Sequence, residues 1–309
     1  MTDKSPSLAV RLGNLEMKNP VIAASGTFAY ASEMDPVFPW EQLGAVVCKG
    51  LSLAPQAGNP TPRLVPTPAG MLNSIGLQNV GLDAFRQRWL PGLRRRQCLI
   101  VANVFGNSIE DYVRLATELS AEEGIAAIEL NLSCPNVQHG RLFGRDPDSV
   151  FLLTRQVRSA SPGIPLWVKL PPDSPDLIAS CKAAEKAGAS ALTISNTFPG
   201  MAIDLDALRP ALPRRHGGLS GPAIRPIILR LVDLILPQVS VPVIACGGVC
   251  RVEDALEYLS IGARAVQVGT AHFVDPRASL RIVRGMQKFL ARRGFPDMES
   301  FIGCVPRHA

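Results

Sequence analysis

Eight short runs of apolar, often β-branched residues recur along the chain and constrain its fold more than any other feature. The runs are continuous rather than alternating, as expected for strands that are buried on both faces of a parallel sheet. Helical stretches separate most of them, so the chain consists of repeated strand–helix units. The eight predicted strands are Val21–Ala24, Ala45–Cys48, Leu99–Val104, Ala126–Leu132, Leu166–Leu170, Ala191–Ser195, Val243–Ala245 and Ala265–Val268.

Eight such units in 309 residues predict an α/β fold that closes into a (β/α)8 TIM barrel, which needs roughly 250 residues. An open, doubly wound sheet is the alternative. A short hairpin, Leu8–Leu12 with Leu15–Met17, is expected to cap the bottom of the barrel. No linker is visible, so one domain is expected over residues 1–309. Helices are predicted at Ser108–Glu123, Pro147–Ser159, Asp176–Ala187, Ile224–Leu236, Val252–Ser260 and Leu280–Arg293.

Two long stretches without a regular pattern follow predicted strands. They are Leu51–Asn79 and Pro135–Asp146. Since the loops after the strands of such a barrel build its catalytic face, and long loops are usually functional, both stretches are expected to contribute to a site.

Composition excludes several classes of protein. Hydrophobic residues make up 47% of the chain and charged residues 19%, which argues against disorder. The net charge is +6, but the basic residues are dispersed except at Arg94–Arg96, interpreted as a solvated helix end. The charge therefore suggests an anionic substrate and a phosphate-bearing cofactor rather than a nucleic acid.

Cysteine and histidine usage indicates neither a disulfide framework nor a metal site. The seven cysteines include no CxxC pair, and the four histidines are scattered. The N-terminus has no apolar segment typical of a secretory signal, and no run of about 18 apolar residues could span a membrane. A cytoplasmic protein without a membrane or metal partner is expected.

Glycines follow the last two predicted strands, at Gly247, Gly248 and Gly269, with Thr270 next in the chain. In barrels of this type the loops after strands seven and eight frequently bind phosphate through backbone N–H groups. Glycine allows close approach of the backbone to phosphate oxygens. Tight turns alone are the alternative, but two signals at these two strands favour a phosphate site, with Gly221 as a third contributor.

Lysines and asparagines gather near the predicted carboxyl ends of strands. Lys49 and Lys169 lie in or beside apolar strands, where a charge is costly unless an anion meets it. One such lysine is more often a structural ion pair; two suggest a shared anionic ligand. The asparagines offer donor and acceptor groups suited to a planar heterocycle such as a flavin or a pyrimidine. They are Asn73, Asn103, Asn131, Asn136 and Asn196.

Cys134 follows the fourth predicted strand within the segment Asn131–Asn136. A thiol at this position could be a nucleophile or a general base, and the residues alone do not choose between the two.

With these features the chain resembles the class 1 dihydroorotate dehydrogenases along nearly its whole length. The order and strand placement of the matching segments make the resemblance specific. The stretch Gly58–Arg63, together with Thr67–Asn73, resembles subtype B rather than subtype A. The segments are Ala24–Thr27, Lys49–Gly50, Asn73–Asn79, Asn103–Gly106, Asn131–Asn136, Asn196–Thr197, Gly247–Gly248 and Gly269–Thr270.

The resemblance implies a role for each matching residue. Cys134 would be the catalytic base. FMN would be held by Ser25, Lys49, Gly50, Asn103, Asn131, Lys169, Ser195, Gly221, Gly247, Gly248, Gly269 and Thr270. The pyrimidine would be held by Lys49, Asn73, Ser74, Ile75, Gly76, Leu77, Asn131, Asn136, Asn196 and Thr197.

The implied reaction is oxidation of (S)-dihydroorotate to orotate in de novo pyrimidine biosynthesis. Cys134 would take the C5 proton, flavin N5 would take the C6 hydride, and Lys169 would stabilise the reduced ring. Subtype B implies a partner, an FAD-containing iron–sulfur subunit in a heterotetramer, that passes the electrons to NAD. This chain has no cysteine cluster for such a centre. Cys48 and Arg141 depart from the residues expected for the family.

Three other functions are consistent with parts of the pattern. Subtype A would use fumarate as acceptor. A dihydropyrimidine or dihydrouridine reductase would share the FMN barrel, although no RNA-binding region is visible. A redox-inactive phosphate-binding barrel, such as a sugar-phosphate isomerase, would explain the glycines but not Cys134 with the asparagines.

Overall fold

The computed structural model describes residues 5–133 and 143–307. The described strands are β1 (Val10–Leu12), β2 (Leu15–Met17), β3 (Val21–Ala23), β4 (Ala45–Val47), β5 (Leu64–Thr67), β6 (Gly70–Asn73), β7 (Leu99–Val104), β8 (Ile125–Asn131), β9 (Leu166–Leu170), β10 (Ala191–Ile194), β11 (Phe198–Met201), β12 (Ile203–Asp204), β13 (Arg209–Pro210), β14 (His216–Ser220), β15 (Val243–Cys246) and β16 (Ala265–Val268). The described α-helices are α1 (Leu82–Arg88), α2 (Leu90–Arg94), α3 (Ile109–Ser120), α4 (Pro147–Ala160), α5 (Leu177–Lys186), α6 (Arg225–Ile235), α7 (Val252–Ser260), α8 (Ala271–Val274), α9 (Ala278–Arg293) and α10 (Met298–Phe301).

Eight parallel strands form a closed barrel in chain order: β3, β4, β7, β8, β9, β10, β15 and β16. The last strand pairs with the first, with Val266 opposite Val21, which closes the ring. The predicted barrel is therefore confirmed and the doubly wound sheet is excluded. Each of the eight predicted strands is present, with its bounds moved by at most one residue at either end. Ser195, for example, follows β10 rather than ending it.

The predicted helices α3 to α7 and α9 are also present, and their amphipathic faces cover the barrel. Helix α3 begins with a capping box: the Ser108 hydroxyl accepts from Asp111 N, and the Asp111 carboxylate accepts from Ser108 N. The apolar side of α3 buries Tyr112, Leu115 and Leu119. Burial of each such side chain contributes about 1.5–3 kcal/mol, so this face orients the helix on the strands.

The N-terminal hairpin of β1 and β2 lies at the amino-terminal end of the barrel, as predicted. Arg264, which directly precedes β16, donates through its guanidinium to the carbonyl oxygen of Arg11. The same guanidinium forms an ion pair with Glu299 near the C-terminus. None of the helices among the described residues combines the length and the apolar character needed to cross a bilayer.

The stretch 51–79 is not irregular as expected, because it contains the antiparallel pair β5 and β6. It carries five prolines, and proline argues against a central strand. Pro66 is tolerated because β5 is an edge strand of a four-stranded sheet with the order β11, β14, β6, β5.

Helices α1 and α2 also fall between β4 and β7, where no helix was predicted. Arg94 ends α2 and pairs with Glu122, so it is not simply solvated.

His272 in α8 gives the fold a testable response to acid. The ring is 4% exposed, stacks near Phe28 and contacts the Ser279 hydroxyl at 2.7 Å through Nε2. Burial lowers the pKa of His272 to about 4. The unfolded chain, with an ordinary histidine pKa near 6.5, binds more protons in this window.

Stability should therefore fall as the pH drops from about 6.5 to about 4, by up to roughly 1.4 kcal/mol per pH unit from this group. His272→Gln keeps a polar contact to Ser279 but does not titrate. Urea unfolding at pH 7 and pH 5 should show a smaller acid loss in the variant than in the parent. Equal losses would contradict the assignment to His272.

Candidate active site

A cavity of about 800 Å³ opens at the carboxyl ends of the barrel strands. Its walls are the strand ends and the four-stranded sheet, because β6 follows barrel strand β4, and β11 and β14 follow barrel strand β10. The two hairpins join through β6 and β14, with Gly218 opposite Asn73. The volume is in the range of known sites for drug-sized ligands and cofactors.

The structure brings nearly all of the sequence-predicted site residues to this cavity, and their binding roles stay predictions. Cys134 and Asn136 lie outside the described residues. The predicted residues that line the cavity are Ser25, Lys49, Gly50, Asn73, Ser74, Ile75, Gly76, Leu77, Asn103, Asn131, Lys169, Ser195, Asn196, Thr197, Gly221, Gly247, Gly248, Gly269 and Thr270.

The glycine turn after β15 has a conformation that other residues rarely adopt. Gly248 has φ +72°, and a Cβ there would lie 2.5 Å from the Cβ of Arg225. The buried Tyr258 hydroxyl donates to the carbonyl oxygen of Gly247 at 2.7 Å and so fixes the turn from below. Burial raises the pKa of Tyr258, which keeps it a protonated donor. Glycine is therefore required here by the close approach of Arg225, and the turn adds no side chain to the cavity wall.

Two short helices begin beside this turn without a side chain capping their N-termini. They are the 3-10 helix Pro222–Ile224, which follows Gly221, and α8, which follows Thr270. The Thr270 hydroxyl donates to the Ser220 hydroxyl at 2.7 Å and links the two segments. In the 3-10 helix, Pro222 has no N–H, and the N–H groups of Ala223 and Ile224 donate to Ala69 O and Gly221 O. The start of α8 and the backbone at the glycines therefore remain to contact a phosphate, which suits the N-terminus of a helix. The cavity side at Gly221, Gly248 and Gly269 can therefore hold one.

A polar network forms the floor of the cavity inside the barrel. The Glu129 carboxylate is 0% exposed and accepts hydrogen bonds from Asn103, Thr193 and Gln267. Lys169 donates to Gln267 Oε1 at 3.0 Å, and its ammonium lies 3.9 Å from the same carboxylate. Lys169 thus has the structural ion pair that the sequence left open.

The two lysines of the site lie in different surroundings, and their pKa values shift in opposite directions. Burial works against the charged form of Lys169, but Cys246 and Glu129 together raise its pKa above the ordinary value. Burial, followed by the positive charge of Arg63, lowers the pKa of Lys49. Lys49 forms no ion pair with any described residue. An anionic ligand would give the Lys49 ammonium the charged partner that it lacks. The predicted anion site therefore fits Lys49 better than Lys169.

The asparagines form two groups of contacts rather than one ring. Asn196 Nδ2 donates to Asn131 Oδ1 at 3.0 Å, and Asn196 Oδ1 accepts from Thr197 N at 2.8 Å. Separately, Asn73 Nδ2 donates to Gly218 O at 3.0 Å. These bonds hold the amide planes, which leaves their remaining polar atoms to a ligand.

Sequence reasoning missed several residues of the site. Glu129 and Gln267 lie inside predicted strands, and their pattern predicts only strand residues there. Arg214, which precedes β14, and His216, its first residue, also line the cavity, as does Cys246. A charged residue in an apolar strand was the signal that singled out Lys169, and the same signal applied to Glu129 would have found its partner.

The thiols that line the described part of the cavity stay protonated and so do not offer a thiolate as a base. Burial raises the pKa of Cys246, and it raises that of Cys250 to about 11. Both are therefore protonated at neutral pH, and the role of base remains a prediction for Cys134.

Comparison with known proteins agrees with this geometry. A sequence profile of the family described as "Dihydroorotate dehydrogenase" matches residues 7–290. A relative from Trichlorobacter lovleyi is 49% identical over 301 residues, which cover 97% of this chain and 99% of the relative. One from Geobacter sulfurreducens is 47% identical over 303 residues, 98% of this chain and 99% of the relative.

A third relative, from Desulforamulus reducens, is 46% identical over 300 residues, which cover 97% of this chain and 98% of the relative. All three relatives carry the name "Dihydroorotate dehydrogenase B (NAD(+)), catalytic subunit", and the term implies a partner subunit for them. The match extends along the whole barrel and includes the segments on which the subtype B resemblance was based. The chain belongs to the dihydroorotate dehydrogenase family.

Proposed function

We propose that this chain is the FMN-binding catalytic subunit of an enzyme that oxidises (S)-dihydroorotate to orotate in de novo pyrimidine biosynthesis. One observation carries the proposal. The same cavity combines a glycine-lined wall suited to a phosphate with the buried Lys169 and the amide groups. Dihydroorotate dehydrogenases are generally flavin-dependent, and FMN is the flavin proposed here. The chain acts as one domain in the cytoplasm.

The residues present fit FMN on two counts. The glycines on the phosphate side add no side chain to the cavity wall, and at Gly221 close packing requires glycine, since an added Cβ would lie only 2.6 Å from Gly70 Cα. In the floor, Asn103 Oδ1 is buried and has no hydrogen-bond partner among the described residues, so it can accept from a ring N–H. A flavin mononucleotide carries both complementary groups. Bound FMN would supply the hydride acceptor for the reaction.

The chain's own residues have four tasks in the proposed reaction. Lys49 and the amides of Asn73 and Asn196 bind and orient the anionic pyrimidine. Cys134 removes the proton from C5. Lys169 holds a positive charge at the cavity floor, where negative charge develops as the hydride leaves C6. The strand-end walls keep the reacting carbon away from bulk water.

The electrons leave through a partner, proposed as an FAD-containing iron–sulfur subunit that reduces NAD. Among the described residues no group of His, Cys, Asp and Glu could hold a metal, so a cluster would belong to the partner. Two copies of each chain form the proposed heterotetramer.

The proposal predicts the behaviour of the purified chain. Heat or acid should release one FMN per chain, because nothing links the cofactor covalently. Anaerobic dihydroorotate should bleach the flavin absorption, while NAD should be reduced slowly unless the partner subunit is added. Release of FAD, or no bleaching by dihydroorotate, would overturn the proposed cofactor or substrate. Rapid NAD reduction by the chain alone would overturn the proposed partner.

A further inference from the structure

The Glu129 carboxylate is the meeting point of hydrogen bonds from three other barrel strands. Its Oε1 accepts from Asn103 Nδ2 at 2.8 Å. Its Oε2 accepts from Thr193 Oγ1 at 2.9 Å and from Gln267 Nε2 at 2.6 Å. The donors come from β7, β10 and β16, and the side chain of Glu129 is fully buried. A carboxylate so placed couples four strands beneath the cavity.

An ionised carboxylate can only accept hydrogen bonds, and this decides how its amide neighbours face. The oxygen and nitrogen of a side-chain amide are otherwise nearly interchangeable in shape. Beside Glu129, the nitrogen of Asn103 and that of Gln267 must both point toward the carboxylate. Their oxygens therefore point away from it. For Gln267, the oxygen then meets the ammonium of Lys169 at 3.0 Å.

For Asn103, the outward oxygen is part of the cavity floor. Asn103 lines the cavity, and its Oδ1 is the buried acceptor that has no partner within the described residues. The neighbouring position is Gly50, where an added Cβ would lie 2.9 Å from this oxygen, so the glycine leaves it open. The floor thus presents one acceptor and, through Lys169, one cation.

We propose that Glu129 is a positioning residue that fixes the amide orientations of Asn103 and Gln267 and thereby makes the floor offer an acceptor and a cation to the flavin. The inference rests on the proposed function, since it takes the ligand of the floor to be FMN. An oxidised flavin ring has a single ring N–H, so an acceptor in the floor matches the ring only in one orientation. Glu129 acts through its neighbours and does not line the cavity.

Glutamine at position 129 would have nearly the same shape but would place an NH2 group at one of the two oxygen sites. If the NH2 takes the Oε1 site, it faces the amide nitrogen of Asn103, which must turn and withdraw its acceptor from the cavity. If it takes the Oε2 site, Gln267 must turn and present its own NH2 to Lys169. Either arrangement removes one of the two features of the floor.

Aspartate at this position has the opposite properties, because it keeps the acceptor-only group and the charge but loses one methylene. A role in orienting the amides therefore predicts that Glu129→Asp retains FMN better than Glu129→Gln. A role in packing alone predicts the reverse order, since glutamine fills the space and aspartate leaves a void.

The test is the FMN dissociation constant of the full chain, measured from the fluorescence of FMN released on dilution of the loaded protein. Glu129→Gln should raise the constant by about 10-fold or more, which corresponds to the loss of about one net hydrogen bond. Glu129→Asp should raise it less. Parental affinity in Glu129→Gln, or tighter binding by Glu129→Gln than by Glu129→Asp, would overturn the inference.

Thr193→Val is the matched control, because it removes a donor from the same carboxylate but leaves both amide contacts. It should keep FMN affinity within about twofold, since neither the Asn103 amide nor the Gln267 amide is turned. A loss of FMN affinity as large as that of Glu129→Gln would show that any disturbance of the carboxylate weakens binding. It would overturn the proposal that Glu129 acts by orienting the two amides.

Asn103→Leu gives a second route if the Glu129 variants do not fold. Leucine has no acceptor, so FMN affinity should fall by at least as much as predicted for Glu129→Gln; unchanged affinity would overturn the inference. Failure of the proposed function has a different signature, because the parent chain itself would then bind no FMN.

Discussion

Replacing Cys134 by alanine is expected to slow flavin reduction by dihydroorotate by about 10²–10⁴-fold at neutral pH, the usual contribution of a general base. The expectation rests on the resemblance of Asn131–Asn136 to the base segment of the family, since Cys134 lies outside the described residues. The segment begins with Asn131, the last residue of β8, which lines the cavity. Serine should be nearly as poor as alanine, because a hydroxyl ionises far less readily than a thiol.

The pH dependence separates a base from a structural thiol. An unperturbed thiol has a pKa near 8.5, so a minority is thiolate at neutral pH. Flavin reduction by the parent should rise with pH until the thiolate has formed, and the variants should lose this rise. Cys250, with its pKa raised by burial to about 11, does not supply a thiolate in its place.

Stopped-flow reduction at several pH values is the measurement, and Cys304→Ser is the control. Cys304 is exposed, so its loss removes a thiol without touching the cavity. All variants should keep yellow FMN and bind orotate, since Lys49 and the asparagines remain. Near-parental rates with an unchanged pH profile in Cys134→Ala would remove this residue from the mechanism.

The barrel could be predicted from the sequence because its strands are buried on both faces. A run such as Leu99–Val104 is then apolar at every position except Asn103, and the predicted and observed bounds coincide. The glycines after β15 and β16 were informative because a residue that directly follows a barrel strand must lie at the carboxyl end of the barrel. Local patterns of this kind report on local structure.

The four-stranded sheet beside the cavity could not be predicted in this way. Its strands β6 and β14 are paired although their residues Asn73 and Gly218 are 145 positions apart. Strand β14 contains two glycines and β5 contains Pro66, so neither has a strand-like composition. Their pairing is a consequence of the barrel, which brings the ends of β4 and β10 to the same face.

The floor of the site illustrates the same limit. Lys169 and Glu129 are 40 positions apart in number but lie in adjacent parallel strands, with Asn131 opposite Lys169 in the register. No sequence spacing specifies that pairing, because it depends on the shear of the closed barrel. The orientation of the Asn103 amide is still harder to predict from the sequence, since it depends on a carboxylate from a neighbouring strand.

Replacing Lys169 by alanine is expected to lower the potential of the bound flavin and to slow its reduction by about 10²-fold or more. The ammonium is 5% exposed and lies at the cavity floor, where it can offset the charge that the ring gains. The substitution also leaves Glu129 as a buried negative charge without its cation. Both effects disfavour a negatively charged reduced ring, so they act in the same direction.

Loss of a buried ion-pair partner can also cost about 3–5 kcal/mol of stability, which could be mistaken for a catalytic effect. The double variant Lys169→Ala with Glu129→Gln removes both charges. It therefore separates the effect on stability from the effect on the reaction. If Lys169 acts on the reaction, the double variant at saturating FMN should unfold at higher urea than Lys169→Ala and yet still reduce slowly. Rapid-mixing reduction and a redox titration of each variant give the comparison. Parental rates and potential in Lys169→Ala would show that this lysine serves the fold alone.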